Sequence, residues 1–417
     1  MQEPLFTQAL GLTSPWAVDS VSFRPDEGAI HFEVSCDAAR LACPACGAAD
    51  QPVHDRVERT WQHLHFFQFK AFIHCRVPRV ACRECGKTRQ APVPWAAKGS
   101  GFSMLMEAFA VAMCQALPVA HVARLIGVSD DRIWRVLRRH VETARAQEDF
   151  SGVRRVGVDE TASRKGQRYI TLFHDLDARR LLFATPGRDK TTFRAFARDL
   201  QAHGGASTQL TDWCMDLSGA YQAGAKETAP QAAVSFDPFH VVALAHKALD
   251  TVRRAQVKTA PELKGIRWGT LKAPRNWSVD QTEAMHHLQR STHKTARAWR
   301  LKEALRRVFE TATDRATAEP LLIRWISWAR RCRLPAFKTL GATVRDHLEG
   351  ILQHFDSGLA NGQVEAFNAQ IQAAKARAKG YRTDTNLITV SYLLCAKLRH
   401  LPGHPWIASS TPHPAHV

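Results

Sequence analysis

The 417-residue chain has no run of 18 or more apolar residues, and its first stretch, MQEPLFTQALG, has neither the basic start nor the apolar segment of a secretion signal. These absences exclude a membrane-spanning helix and lead to the expectation of a cytoplasmic, nucleoid-associated protein with no membrane partner. Acidic side chains are also in short supply, 39 Asp plus Glu against 57 Lys plus Arg, for a formal net charge of +18 and a pI near 9.8. That deficit points to a polyanionic partner, nucleic acid first, because each neutralised phosphate releases counterions. A reducing compartment leaves no place for a disulfide framework, so the ten cysteines read as thiols or metal ligands. What is present is ample: 45% hydrophobic residues and a length beyond one ordinary core, hence two to four modules.

Two matched units, CPACG at Cys43 and Cys46 and CRECG at Cys82 and Cys85, have the spacing of zinc knuckles. Four thiolates suit a closed tetrahedral Zn²⁺ site of structural type, and the glycine after each pair permits a tight turn around the sulfurs. His54, His63, His65 and His74 are possible substitutes, but four thiols complete the set. The segment between, with HFFQFKAFIHCRVPRV, fits hairpins. Cys36, Cys75, Cys114, Cys214, Cys332 and Cys395 fall outside the pattern and read as buried apolar residues. From Phe102 to about Val141 the period becomes helical, and LPVAHVARLIGVSDDRIWRVLRRHV reads as helix, sharp turn, helix. Val119, Val122, Ala123 and Ile126 form one apolar stripe, Gly127 ends it, and Ser129 can cap a second helix burying Ile133, Val136 and Leu137. Arg132, Trp134, Arg135, Arg138 and Arg139 are then candidates for DNA contact; the bland alternative is a solvated basic face.

Beyond the linker near Gln147 to Gly152, Arg155 to Asp159, Arg168 to Asp175 and Arg179 to Thr185 look like successive strands. A helix with Phe193, Phe196, Ala197 and Leu200 inward follows. Further strands are expected over Thr208 to Met215, ending at Asp216, and over Ala232 to Phe236, leading into FDPFHV. This is the order of a ribonuclease H-like α/β core, in which Asp159 and Asp216 can meet as oxygen ligands for Mg²⁺. A third carboxylate is best placed in LANGQVEAFNAQIQ, where Val364, Phe367, Ile371 and Ala374 form a buried stripe beside a polar one of Glu365, Asn368, Gln372 and Lys375. Asp237, beside His240, is the strongest rival acid and reads equally as a support of the cleft or as a helix cap. Glu160 should point to the opposite side of its strand, and Asp175 and Asp177 belong to a turn.

The order CPACG, CRECG, helix-turn-helix, VGVDE, DLSGAY, FDPFHV and NGQVEAFNAQIQ, with a following GYR, resembles the ISL-three family of bacterial insertion-sequence transposases over nearly the whole chain. The resemblance implies an Asp-Asp-Glu triad of Asp159, Asp216 and Glu365. The residues themselves suggest two Mg²⁺ (or Mn²⁺) ions on these acids, Asn368, Asp237 and His240 as supporting groups, and Lys375 among the DNA contacts. The resemblance also implies a ribonuclease H-like core interrupted by a mostly helical insertion. The expected modules are a zinc-binding region over 1–98, a helix-turn-helix domain over 99–150, core over 151–248, insertion over 249–350, and core with the glutamate helix and tail over 351–417. Residues 251–350 hold 21 Lys plus Arg against 9 Asp plus Glu, so the charge is concentrated there. Trp268, Trp277, Trp299, Trp325 and Trp328 lie among those arginines and suit a surface for DNA, although Trp325 and Trp328 read better as core. The expected activity is cleavage and strand transfer of double-stranded DNA, at terminal inverted repeats and target, by a homodimer or higher oligomer. Tyr169, Tyr221, Tyr381 and Tyr392 have no nucleophilic role in it. The rivals are a catalytically inactive DNA-binding regulator and a nuclease for RNA-DNA hybrids.

Overall fold

The computed structural model describes residues 3–403 apart from 165, 167, 360 and 361. Part of the LANGQVE motif and the C-terminal tail therefore lie outside the described residues. Two compact units emerge, one running to Ala146 and joined by residues from Leu398 on, the other spanning Gln147–Lys397.

The first unit begins with α1 (Glu3–Ala9), β1 (Trp16–Arg24), β2 (Ala29–Cys36), β3 (Arg40–Leu41), β4 (Gln51–Phe66), β5 (Phe69–Ala81) and β6 (Thr88–Gln90). The sheet order is β1-β2-β5-β4-β3, with β6 on β5. Alternation along β5 puts Ile73, Cys75 and Val77 on one face, where they pack with Trp16, Trp61 and Trp95. The long β4–β5 hairpin carries one CxxC pair just before it and the other just after it, so both pairs arrive at the same end. Three helices follow: α2 (Met104–Ala116), α3 (Val119–Ile126) and α4 (Asp130–Arg145). The α3 stripe is buried as the periodicity required, and Gly127 closes the helix at φ 79° with its N–H on the Ala123 carbonyl. Ser129 occupies the N-cap position of α4, yet its side chain makes no capping bond, a departure from expectation. The zinc and helical modules expected to divide at residue 98 fall within this one compact unit, where the Gln62 side-chain amide donates to the Ile126 carbonyl at 3.0 Å.

The second unit opens with β7 (Arg155–Arg164), β8 (Arg168–Asp175) and β9 (Arg180–Pro186), an antiparallel meander. Then come α5 (Lys190–Ala202), β10 (Asp212–Met215), α6 (Gly219–Thr228), β11 (Ala233–Phe236) and α7 (Pro238–Gln256). The order β11-β10-β7-β8-β9, with β10 parallel to both β7 and β11, is the ribonuclease H-like arrangement. Strand β10 is shorter than expected because residues 207–209 form a 3₁₀ turn. The remaining helices are α8 (Arg267–Leu271), α9 (Val279–Arg290), α10 (Lys294–Thr311), α11 (Arg315–Arg331), α12 (Pro335–Asp346), α13 (Leu348–Ser357), α14 (Gly362–Arg377) and α15 (Asp384–Cys395). The expected insertion edges at residues 249 and 350 fall inside α7 and α13, and one apolar core runs on from Val156 and Phe193 to Trp325 and Leu352. Gly350 of α13 lies so close to β11 that a Cβ would meet the Phe236 ring at 2.4 Å.

The tryptophans divide differently from expectation. Trp299 and Trp325 are buried, the latter donating from its indole to the Leu301 carbonyl at 2.8 Å. Trp328, read as core, is exposed together with Trp268, because the apolar stripe of α11 is carried by Leu322, Trp325, Ile326 and Ala329. The six cysteines outside the knuckles are all buried, and burial pushes the Cys75 and Cys114 thiols up to about 12.

Candidate active site and metal centre

Parallel register lines up the acidic residues. Trp213 and Cys214 of β10 lie opposite Val156 and Gly157 of β7, and Met215 lies opposite Phe236 of β11. Continued past the last paired residues, by one position on the β11 side and two on the β7 side, the same register places Asp216 level with Asp237 and with Asp159, just beyond the C-terminal ends of β10 and β11 and at the middle of β7. Alternation also gives the three a common face. Val156, Val158, Trp213, Met215 and Phe236 go into the main core, while Cys214 packs on the other side with Val364 of α14.

Helix α14 is laid along that second face by a ladder of polar contacts. Asn368 donates its amide to Asp159 Oδ2 at 2.6 Å, Gln372 to Thr161 Oγ1 at 2.6 Å and to the Ala162 carbonyl at 3.1 Å, and Lys375 Nζ to the same carbonyl at 2.5 Å. Their spacing of four and three residues is one helical face, so the stripe read from the sequence grips β7. Lys375, expected on DNA, is instead engaged with the strand backbone. Phe367 stacks on His174 of β8 with the rings 5.0 Å apart, and complete burial lowers the His174 imidazole to about 3.

Asp159 is 9% exposed, and its second oxygen accepts from the Glu160 N–H at 2.8 Å. Burial pushes its carboxyl up to about 6, opposed by that N–H and by the nearby His240, with Glu160 and Asp216 adding repulsion. Asp216 Oδ1 accepts from the Ser218 N–H at 2.9 Å. Glu365 is also raised, first by burial and then by Asp237, with His240 opposing, and its Oε1 is buried without a hydrogen-bond partner. Asp237 both ends β11 and caps α7, accepting from the Phe239 N–H at 3.2 Å, and its Oδ2 lies 3.9 Å from His240 Nε2. The imidazole of His240 thus bears on acids from three elements. Glu160 points to the far side as expected, where the Tyr221 hydroxyl donates to it at 3.0 Å, and Tyr221 also meets Thr171 at 3.1 Å, a network the sequence did not reveal. Asp175 closes a turn through the N–H groups of Asp177 and Ala178, both at 3.0 Å.

The cysteine centre is tighter. Cys43 and Cys85 sulfurs are 3.8 Å apart, those of Cys46 and Cys82 3.5 Å, and all four lie within 4.8 Å of one another. Gly47 and Gly86, directly after the second thiol of each pair, have φ of 75° and 65°, a backbone that glycine adopts without strain. Backbone N–H groups of Ala45 and Cys85 point at the Cys43 and Cys82 sulfurs at 3.4 Å, and the Ala45 donor chiefly lowers the Cys43 thiol to about 6. The donor set fits a structural zinc ion. Among the described residues no other group of three or more His, Cys, Asp or Glu side chains closes to that distance, the three carboxylates included.

The DNA-contact candidates on α4 also divide. Trp134 is buried and belongs to the core. Arg132 donates to the Gly101 carbonyl at 2.7 Å and lies 4.1 Å from the centre of the Phe102 ring. Arg139 is ion-paired with Glu107, a fully buried acid on α2 that also holds His140 at 2.7 Å and Ser100 at 2.5 Å. Glu107 was missed, although a lone acid in MLMEAFAVAM was its signal. Arg135 is exposed and Arg138 half-buried.

A family profile described as a transposase matches residues 156–391. The helix-turn-helix domain of transposase family ISL3 matches residues 91–141, and the zinc-finger of transposase IS204/IS1001/IS1096/IS1165 matches residues 39–85. The transposase for insertion sequence element IS1557 of Mycobacterium tuberculosis is 30% identical, covering 97% of this chain and 99% of its own length. That for IS1001 of Bordetella parapertussis is 26% identical, covering 90% of this chain and 94% of its own.

Proposed function

The chain belongs to transposase family ISL3, and from that premise we propose that it cuts and rejoins double-stranded DNA at the terminal inverted repeats of an insertion sequence, with Asp159, Asp216 and Glu365 as its catalytic acids. The observation that carries this reading is the parallel register of β10 on β7, which continues to bring Asp216 and Asp159 to one level and one face, with α14 fastened to Asp159 by Asn368. The donors suit a hard divalent cation: they are carboxylate oxygens, Glu365 Oε1 has no partner, and burial raises the Asp159 carboxyl to about 6, a strain on its charged form that a cation would relieve. Mg²⁺ or Mn²⁺ ions held by the three carboxylates would activate the attacking hydroxyl and offset charge on the leaving 3′ oxygen.

The chain's own residues supply the rest. Asn368 and the Glu160 N–H hold the two oxygens of Asp159 in fixed directions, so the acid meets substrate without reorienting. Asp237 and His240 steady the edge of the acidic row, Asp237 through its cap on α7 and His240 through its place 3.9 Å from Asp237 Oδ2. Cys43, Cys46, Cys82 and Cys85 would hold a zinc ion that ties the two knuckles of the reading unit together, and Arg135 and Arg138 of α4 take phosphates. Because two ends must be joined in concert, the working form is at least a dimer on DNA, in the bacterial cytoplasm at the nucleoid.

The test is cleavage of linear duplexes carrying the element's own ends, with Mg²⁺, by the wild type and by Asp159→Ala, Asp216→Ala and Glu365→Ala. Each variant should bind ends and leave them uncut. Normal cutting by any of them ends the assignment, and a wild type that binds ends without ever cutting favours the regulator.

A further inference from the structure

Helix α7 buries Val241, Ala245, Ala248, Leu249 and Val252. Phe239 precedes that stripe by two residues, roughly 200° around the helix, and is 60% exposed. The core does not use this ring. It stands in the first turn, its backbone N–H on Asp237, in a T-shaped contact with the His240 ring at 5.8 Å between ring centres. Asp237, which takes that N–H, follows directly on β11 in register with Asp216, and its Oδ2 lies 3.9 Å from Nε2 of His240, whose field also reaches Asp159 and Glu365. An exposed phenyl ring thus stands two residues along the chain from Asp237, with its own backbone bonded to that acid. Bases in a duplex are stacked on each other, so a strand end reaches an acid as buried as Asp159 more readily once its terminal base is unstacked, and an aromatic face takes up such a base.

We infer that Phe239 is a positioning residue that stacks on an unpaired base at the DNA end and so delivers the scissile phosphate to the carboxylates. The inference rests on the function proposed above. It is specific to an unpaired base, because the ring offers a face for stacking and no hydrogen-bonding group to read sequence.

Phe239→Ala and Phe239→Trp would be compared on duplex ends that are fully paired and on ends whose two terminal pairs are mismatched. The alanine protein should bind both, cut paired ends roughly tenfold more slowly than wild type, and recover on mismatched ends. The tryptophan protein should cut both at close to the wild-type rate. A 2-aminopurine at the terminal position should change its fluorescence when wild type binds without divalent metal, and should change less with the alanine variant. Equal slowing on both substrates, no slowing on either, or a wild-type complex with unchanged fluorescence overturns the inference. If Asp159→Ala remains inactive on every substrate while these results appear, the proposed function stands and only the role of Phe239 falls.

Discussion

The two candidate metal centres of this chain are built in opposite ways. The cysteine centre uses two short knuckles at one end of a single hairpin, with glycine turns and backbone N–H groups already aimed at the sulfurs. Its four ligands are closed upon one another. The acidic cleft draws on β7, β10, β11 and α14, elements spread over more than 200 residues, and its carboxylates stay further apart. Local chemistry closes a structural site; distant elements leave an open one, where a substrate oxygen can still enter.

Each half of this contrast can be broken separately. Replacing Asp159, Asp216 or Glu365 by alanine should lower end cleavage by roughly 10³-fold or more with end binding kept, measured on labelled duplexes. Stripping zinc, or Cys82→Ser, should do the reverse to the first unit, with specific end binding falling roughly 10³-fold toward the non-specific level by titration in competitor DNA. A smaller difference concerns pH. His63, hydrogen-bonded to Ser103 at 2.7 Å, is lowered by burial to about 4. Its neutral form is favoured on folding, so the stability it permits is full above pH 6.5 and is lost as pH falls toward 4, up to about 3 kcal/mol. His63→Gln should flatten that part of the acid-denaturation curve of the first unit. The smallest effect is expected from Gly350→Ala, whose methyl would press on Phe236 next to Asp237, at about 1–3 kcal/mol of stability in urea melts.

Much of this was legible in the sequence for reasons that are local. CxxCG spacing, the stripe of α3 and the strand ending at Asp216 depend only on near neighbours. The polar stripe of α14 was visible too, but not that Asn368 would reach Asp159, because that partner is 209 residues away. The alignment of Asp237 with the other two acids needs the strand order. On α4 the basic residues looked alike, yet Arg139 turns inward to a buried acid on another helix and Trp134 joins the core. A helical wheel shows which faces exist, not which neighbour covers them.

The grip of Asn368, Gln372 and Lys375 on β7 has a consequence for how such chains vary. The height of Glu365 above the sheet is measured against the strand itself, so helices between Asp237 and Gly362 can lengthen or shorten without displacing it. A single residue gained between Glu365 and Asn368 has the opposite effect: it turns the acid about 100° out of line while every rung below stays fastened.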